Sequence, residues 1–177
     1  MTVASTPTLQ RSTLKTSRLL DFASERELVA QTGHHLAAWP LVILKELVDN
    51  ALDACEEAGI APVIDISVND EGITVSDNGS GLPASTIQDV LDFQVRTSSR
   101  EAYVSPCRGA QGNALKTIVA MPFVLDGNAG RVEITAGGIK HLIEFAVDRI
   151  KQEPVISHTE EAVKYKKGTI LKVCWPN

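Results

Sequence analysis

Apolar residues recur with two different spacings along the chain, and the change between them divides it. From about Ser24 to Ala58 they return every three to four residues, the period of helices packed by one face. Ser24-Glu25-Arg26-Glu27 reads as an N-cap with a glutamate three positions on, and Gly33 ends that short helix. Pro40 stands in the first turn of a longer helix that runs to about Ala58, with Gly59 as its left-handed terminator. Val63–Val68 and Ile73–Asp77 then alternate apolar and polar residues around the turn Asn69-Asp70-Glu71-Gly72, the pattern of a hairpin. A further helix is expected from Pro83 to Phe93 and another from Gln111 to Ala120, separated by a polar stretch without periodicity. The remainder reads as strands at Phe123–Leu125, Arg131–Ala136, Ile139–Val147, Val155–His158 and Thr169–Trp175. Turns at Asp126-Gly127-Asn128, Gly137-Gly138 and Lys166-Lys167-Gly168 separate them. The order predicts an α+β fold: a two-layer sandwich whose mixed, mostly antiparallel sheet carries helices on one face. No internal repeat is present.

Composition narrows the function classes. The 177 residues suit one globular domain, expected over residues 21–177, behind a loose N-terminal arm over residues 1–20. That arm lacks acids and a hydrophobic signal core, and it fits a flexible arm better than a transit peptide. A net charge of −5 gives the chain no bulk electrostatic reason to bind nucleic acid by itself, so DNA is expected only through a complex. Three distant cysteines (Cys55, Cys107 and Cys174) have no metal-ligand spacing and point to a reducing, cytoplasmic setting. No apolar run approaches a membrane span.

Three segments carry candidate chemistry. On the long helix, Glu46, Asn50, Asp53 and Glu57 fall within roughly 60° of one another, with no Lys or Arg in the stripe. Leu44, Val48, Ala51, Leu52 and Cys55 take the opposite side. Asn50 offers a neutral oxygen to a hard cation, and Glu46, one turn away, can take a proton from an attacking water. A plain solvated helix face explains the same stripe. Asp77-Asn78-Gly79-Ser80-Gly81 ends the second strand in a turn that lets backbone approach closely. A carboxylate held there suits an adenine amino group, and an ordinary Asp-Asn-Gly turn is the simpler account. Gly109-Ala110-Gln111-Gly112-Asn113-Ala114 leads into a helix start where free N–H groups suit phosphate, or forms only a glycine hinge. It is no P-loop, because three residues separate Gly112 from Lys116. Lys116 is expected to be solvated in the first helical turns, with a phosphate contact as the alternative. His34 and His35 read as packed or solvated, and Trp39 and Trp175 as packing residues.

Taken together and in this order, the three segments resemble the N, G1 and G2 boxes of the GHKL superfamily of ATPases, whose ATP-binding domain is the Bergerat fold. The resemblance covers about residues 20 to 177. Glu46 to Ala54 and Arg96-Thr97-Ser98-Ser99-Arg100 are most similar to the branch of the topoisomerase VI B subunit. The resemblance implies Glu46 as general base, Asn50 as the Mg²⁺ ligand and Asp77 as the adenine reader, supported by Thr169. The nucleotide would also meet Asp53, Gly79, Gly81, Leu82, Thr97, Ser98, Gly109, Ala110, Gln111, Gly112, Asn113, Ala114 and Lys116. Residues 94 to 112 would form a lid over ATP. ATP-driven homodimerisation through the N-terminal arm and a DNA-cleaving partner subunit would follow. Ala114 stands where many relatives have a glycine, and the resemblance implies a second domain, whose lysine meets the γ-phosphate, that these 177 residues do not include: the expectation is a fragment, a stand-alone module, or a partner that supplies the rest. Two other functions are compatible with this fold: an anti-sigma-type protein kinase, and a MORC-like dimerisation module with negligible turnover.

Overall fold

The computed structural model describes residues 20, 22–91, 104–105, 109–110, 114–165 and 167–175. Helix α1 (Glu25–Thr32) begins at Ser24, whose hydroxyl accepts the Glu27 N–H at 3.3 Å, and ends at Gly33. After a short 3-10 turn (Leu36–Ala38), α2 (Trp39–Glu57) carries Pro40 in its first turn. Gly59 sits at φ 63° and donates to the Glu56 carbonyl, which closes α2 where the sequence expects it. Strands β1 (Ile64–Asn69) and β2 (Gly72–Asp77) form the expected hairpin, with Asn69 opposite Gly72. Next come α3 (Ala84–Leu91), the two-residue strands β3 (Val104–Ser105) and β4 (Gly109–Ala110), and α4 (Ala114–Asp126). Strands β5 (Gly130–Ala136), β6 (Ile139–Asp148), β7 (Glu153–Ala162) and β8 (Thr169–Cys174) complete the order.

The main sheet runs β1-β2-β8-β5-β6-β7. Every pairing in it is antiparallel, so the sheet is less mixed than the sequence suggests. The last strand, β8, inserts between β2 and β5, which brings the start of β8 beside the end of β2. Alternation sorts the faces. Ile73, Val75, Val132, Ile134, Ile143, Phe145, Leu171 and Val173 are buried and meet the helices. Helix α2 packs on β2, and α4 on β5, β6 and β8. The helix layer stops short of β1, whose Ile66 and Val68 stay exposed. Among the described residues, no helix is long and apolar enough to cross a membrane.

Two expectations of local structure fail. Phe123–Leu125 is not a strand. Helix α4 runs through Pro122 to Asp126, where the Gly127 N–H donates to the Phe123 carbonyl at 2.7 Å. Burial of Ile118, Val119, Met121, Pro122 and Phe123 against the sheet outweighs the cost of an internal proline. Strand β7 is also longer than Val155–His158, because its pairing with β6 continues to Ala162 opposite Ile139. Most of the N-terminal arm and most of the segment from 94 to 112 lie outside the described residues.

Candidate functional site

The ends of β2 and β8 meet α2 at one corner of the sandwich. Asp77, the last residue of β2, is buried, and its Oδ1 accepts the Gly79 N–H at 2.7 Å and the Thr169 N–H at 3.3 Å. The Thr169 hydroxyl in turn accepts the Leu82 N–H at 3.1 Å. One carboxylate and one hydroxyl thus tie the turn after β2 to the first residue of β8, across a sequence gap that no local motif bridges.

Glycine is required at this corner for steric reasons. A Cβ on Gly79 would lie 2.8 Å from the Cβ of Ala54 and 2.9 Å from Asp77 Oδ1, so the turn rests directly on α2. Gly168, at φ 71°, has the carbonyl oxygen of Asp77 where a side chain would begin. Gly81, at φ 83°, faces the Gly168 carbonyl. The Tyr165 hydroxyl donates to the Asp77 carbonyl at 3.3 Å. Tyr165 is exposed as a residue, and the partial desolvation of its ring raises its pKa, with the negative charges of Asp77 and Asp65 pushing it the same way.

Asn78 holds the other side of the corner. Its Oδ1 accepts the Val63 N–H at 2.9 Å and the Cys55 thiol at 3.2 Å, and its Nδ2 donates to the Ala61 carbonyl at 3.1 Å. The end of α2, the connection to β1 and the turn after β2 are therefore fixed together.

Because Ala54 touches Gly79, the polar stripe of α2 runs along this corner and is not an open solvated face. Asp53 is only 1% exposed. Asn50 is half-buried, and its Nδ2 is buried with no hydrogen-bond partner among the described residues. An unmet buried amide is costly in a core and suited to a ligand: the N–H donates to an anionic oxygen, and the amide turned over presents its carbonyl to a cation. Glu46 is 27% exposed, and Glu57 is fully outside. The inward side is centred on Ile43, Leu47, Ala51, Ala54 and Cys55, while Leu44, Val48 and Leu52 are only half-buried.

The stripe also has a cation beside it, against expectation. Lys45 donates to Asp49 Oδ2 at 2.7 Å and to Glu46 Oε1 at 3.3 Å. Its pKa is raised, first by the Asp49 hydrogen bond and also by the charges of Glu46 and Asp49.

Lys116 corrects a second expectation. It is 2% exposed in the first turn of α4, not solvated. Gly109 and Ala110 form β4, and Ala114 opens α4. Thr97, Ser98, Gln111, Gly112 and Asn113 lie outside the described residues. His34 and His35 are exposed, and Trp39 is fully buried with its Nε1 on the His34 carbonyl at 3.0 Å.

The sequence reading missed Tyr165, Gly168 and the bridging role of Asn78. Only Gly168-Thr169, a glycine followed by a hydroxyl residue at a strand start, gave a signal.

Residues 37–170 match the family described as histidine kinase-, DNA gyrase B- and HSP90-like ATPases. The chain belongs to this family. As a member of these GHKL ATPases, it is similar to curated type 2 DNA topoisomerase 6 B subunits. That of Natronomonas pharaonis is 34% identical over 128 residues, 67% of this chain and 16% of the relative. That of Thermococcus kodakarensis is 34% identical over 140 residues, 74% of this chain and 24% of the relative. The chain thus spans about a sixth to a quarter of these relatives' length. The solved ATPase region of Saccharomyces cerevisiae topoisomerase II aligns over 76% of this chain and 37% of that one, at 15% identity and a TM-score of 0.49.

Proposed function

We propose that this GHKL domain binds ATP with Mg²⁺ at the corner formed by α2, the turn after β2 and the start of β8, and hydrolyses it. The observation that carries the reading is the joining of Asn50 and Asp77 into one neighbourhood. Ala54 abuts Gly79, Asp77 is held at Oδ1, and the unmet amide of Asn50 stands one helical turn before Ala54. In this reading Asp77 accepts the adenine amino group, with Gly79, Gly81, Leu82 and Thr169 fixing its position. Asp53, buried on the same stripe, belongs to the wall that meets the nucleotide. Thr97, Ser98, Gly109, Ala110, Gln111, Gly112, Asn113, Ala114 and Lys116 belong to the phosphate side. The start of α4 at Ala114, a helix N-terminus with free N–H groups, supports that assignment.

The donor set fits Mg²⁺, which takes few protein ligands and prefers oxygen; Asn50 would hold it, and the ion would neutralise phosphate charge. Glu46 accepts a proton from the attacking water, whose oxygen bonds to the γ-phosphorus as ADP leaves. Lys45, beside Glu46, donates to that carboxylate at 3.3 Å and helps orient it.

We further propose that nucleotide binding drives homodimerisation and serves a DNA-cleaving partner subunit, in a cytoplasmic complex that contacts DNA through its other parts. The similarity to topoisomerase 6 B subunits supports this. Glu46→Ala is expected to retain ATP binding in calorimetry and to lose phosphate release. Loss of binding instead would make Glu46 structural. Transfer of labelled phosphate to a protein, in place of release to water, would favour the kinase function.

A further inference from the structure

Strands β6 and β7 bring three metal-binding side chains to one point, outside every residue assigned to the nucleotide. Their register pairs His141 with Glu160 and Ile143 with His158. Alternation turns His141 to the same face as Ile143 and Phe145, and turns His158 and Glu160 to that face from the neighbouring strand. The donor atoms converge. His141 Nδ1 lies 3.0 Å from His158 Nε2 and 3.5 Å from Glu160 Oε1, and His158 Nε2 lies 3.8 Å from the same oxygen. The two rings stack at 5.2 Å between centroids and 23° between planes.

A tetrahedral zinc ion bonds nitrogen and carboxylate oxygen at about 2.0–2.2 Å, which sets its ligand atoms about 3.3 Å apart. The three separations here bracket that value. The side chains grade from 2% exposed at His141 through 21% at His158 to 51% at Glu160. The cluster is therefore anchored on its buried side and open to solvent on the other, with room for a water as fourth ligand. Two imidazoles and one carboxylate suit a transition metal better than Mg²⁺.

We propose that His141, His158 and Glu160 form a Zn²⁺ site of the two-histidine, one-glutamate type, clipping the edge strand β7 to β6. A neutral His–His hydrogen bond flanked by Glu160 accounts for the 3.0 Å contact without a metal, and the experiment separates the two.

The full chain, free of any histidine tag and stripped with chelator, is titrated with Zn²⁺ by calorimetry and with Co²⁺ by visible absorption. One equivalent is expected to bind, with the intense bands of tetrahedral Co²⁺ and a rise in Tm. His158→Ala and Glu160→Gln, both on the solvent side, are each expected to weaken binding by at least about tenfold and to abolish the Tm rise. The double variant His34→Ala, His35→Ala is expected to bind as wild type. Absence of heat and of Co²⁺ bands, or undiminished binding in either His158→Ala or Glu160→Gln, overturns the site. Far-UV circular dichroism checks that each variant is folded. The outcome is independent of the nucleotide reading, because the two sites share no residue.

Discussion

Gly168→Ala places a methyl group where the Asp77 carbonyl oxygen already stands, at a residue with φ 71°. The left-handed conformation costs a non-glycine residue about 1–2 kcal/mol. Relieving the overlap requires backbone movement, which adds about 1–3 kcal/mol, and the lower entropy of the unfolded alanine chain returns less than about 1 kcal/mol of stability lost. The net loss is about 2–4 kcal/mol. For a chain of this length that corresponds to a fall in Tm of about 5–15 °C. Gly137→Ala is the control. Gly137 is also left-handed, at φ 59°, but nothing lies within 4 Å of its would-be Cβ. It is expected to carry the conformational cost without the overlap, offset by the same unfolded-chain return, for a net loss of about 1 kcal/mol. Differential scanning calorimetry measures both. The displaced Asp77 should also weaken ATP by about tenfold or more in Gly168→Ala, equivalent to about 1.4 kcal/mol, and leave it unchanged in Gly137→Ala. Equal Tm losses in the two variants, or unaltered ATP affinity in folded Gly168→Ala, would refute the close approach of β8 to Asp77 as the feature that sets the site.

Asn78→Ala removes acceptors for the Val63 N–H and the Cys55 thiol and a donor to the Ala61 carbonyl; water reaches the exposed backbone partners, so a loss of about 1–2 kcal/mol in urea unfolding is expected. Tyr165 should titrate above the ordinary phenol value, because partial desolvation of its ring and nearby carboxylates disfavour the phenolate. The folded pKa lies above the unfolded one, so this contribution to stability is complete below about pH 10 and is lost as pH rises through the folded value. Ultraviolet titration of the native protein should show a late component that Tyr165→Phe removes.

The elements whose signals are local were legible in the sequence. The N-cap at Ser24, the left-handed Gly59 and the Asn69–Gly72 turn each act within a few residues, and the structure has all three. Asp77 and Thr169 could be named in advance, but their contact depends on β8 inserting between β2 and β5, a pairing across 92 residues that no local period encodes. The sequence pattern ends this helix at Ala120 and reads Phe123–Leu125 as a strand, because burial of α4 against the sheet, which carries it through Pro122 to Asp126, has no local signal. Lys116 reads as solvated in the sequence because its neighbours do not reveal how deeply the first turn of α4 is covered. His141, His158 and Glu160 are unremarkable in the sequence and meet only through the register of β6 on β7.

The central claim is that Asp77 reads adenine beside the polar stripe of α2. Calorimetric titration of ATP with Mg²⁺ into the wild-type chain and into Asp77→Asn tests it most directly, since the substitution keeps an Oδ1 acceptor for Gly79 and Thr169 while removing the charge. Saturable binding by the wild type, weakened at least about tenfold in the variant, is predicted. No heat from the folded wild-type chain, or equal affinity in both, would contradict it.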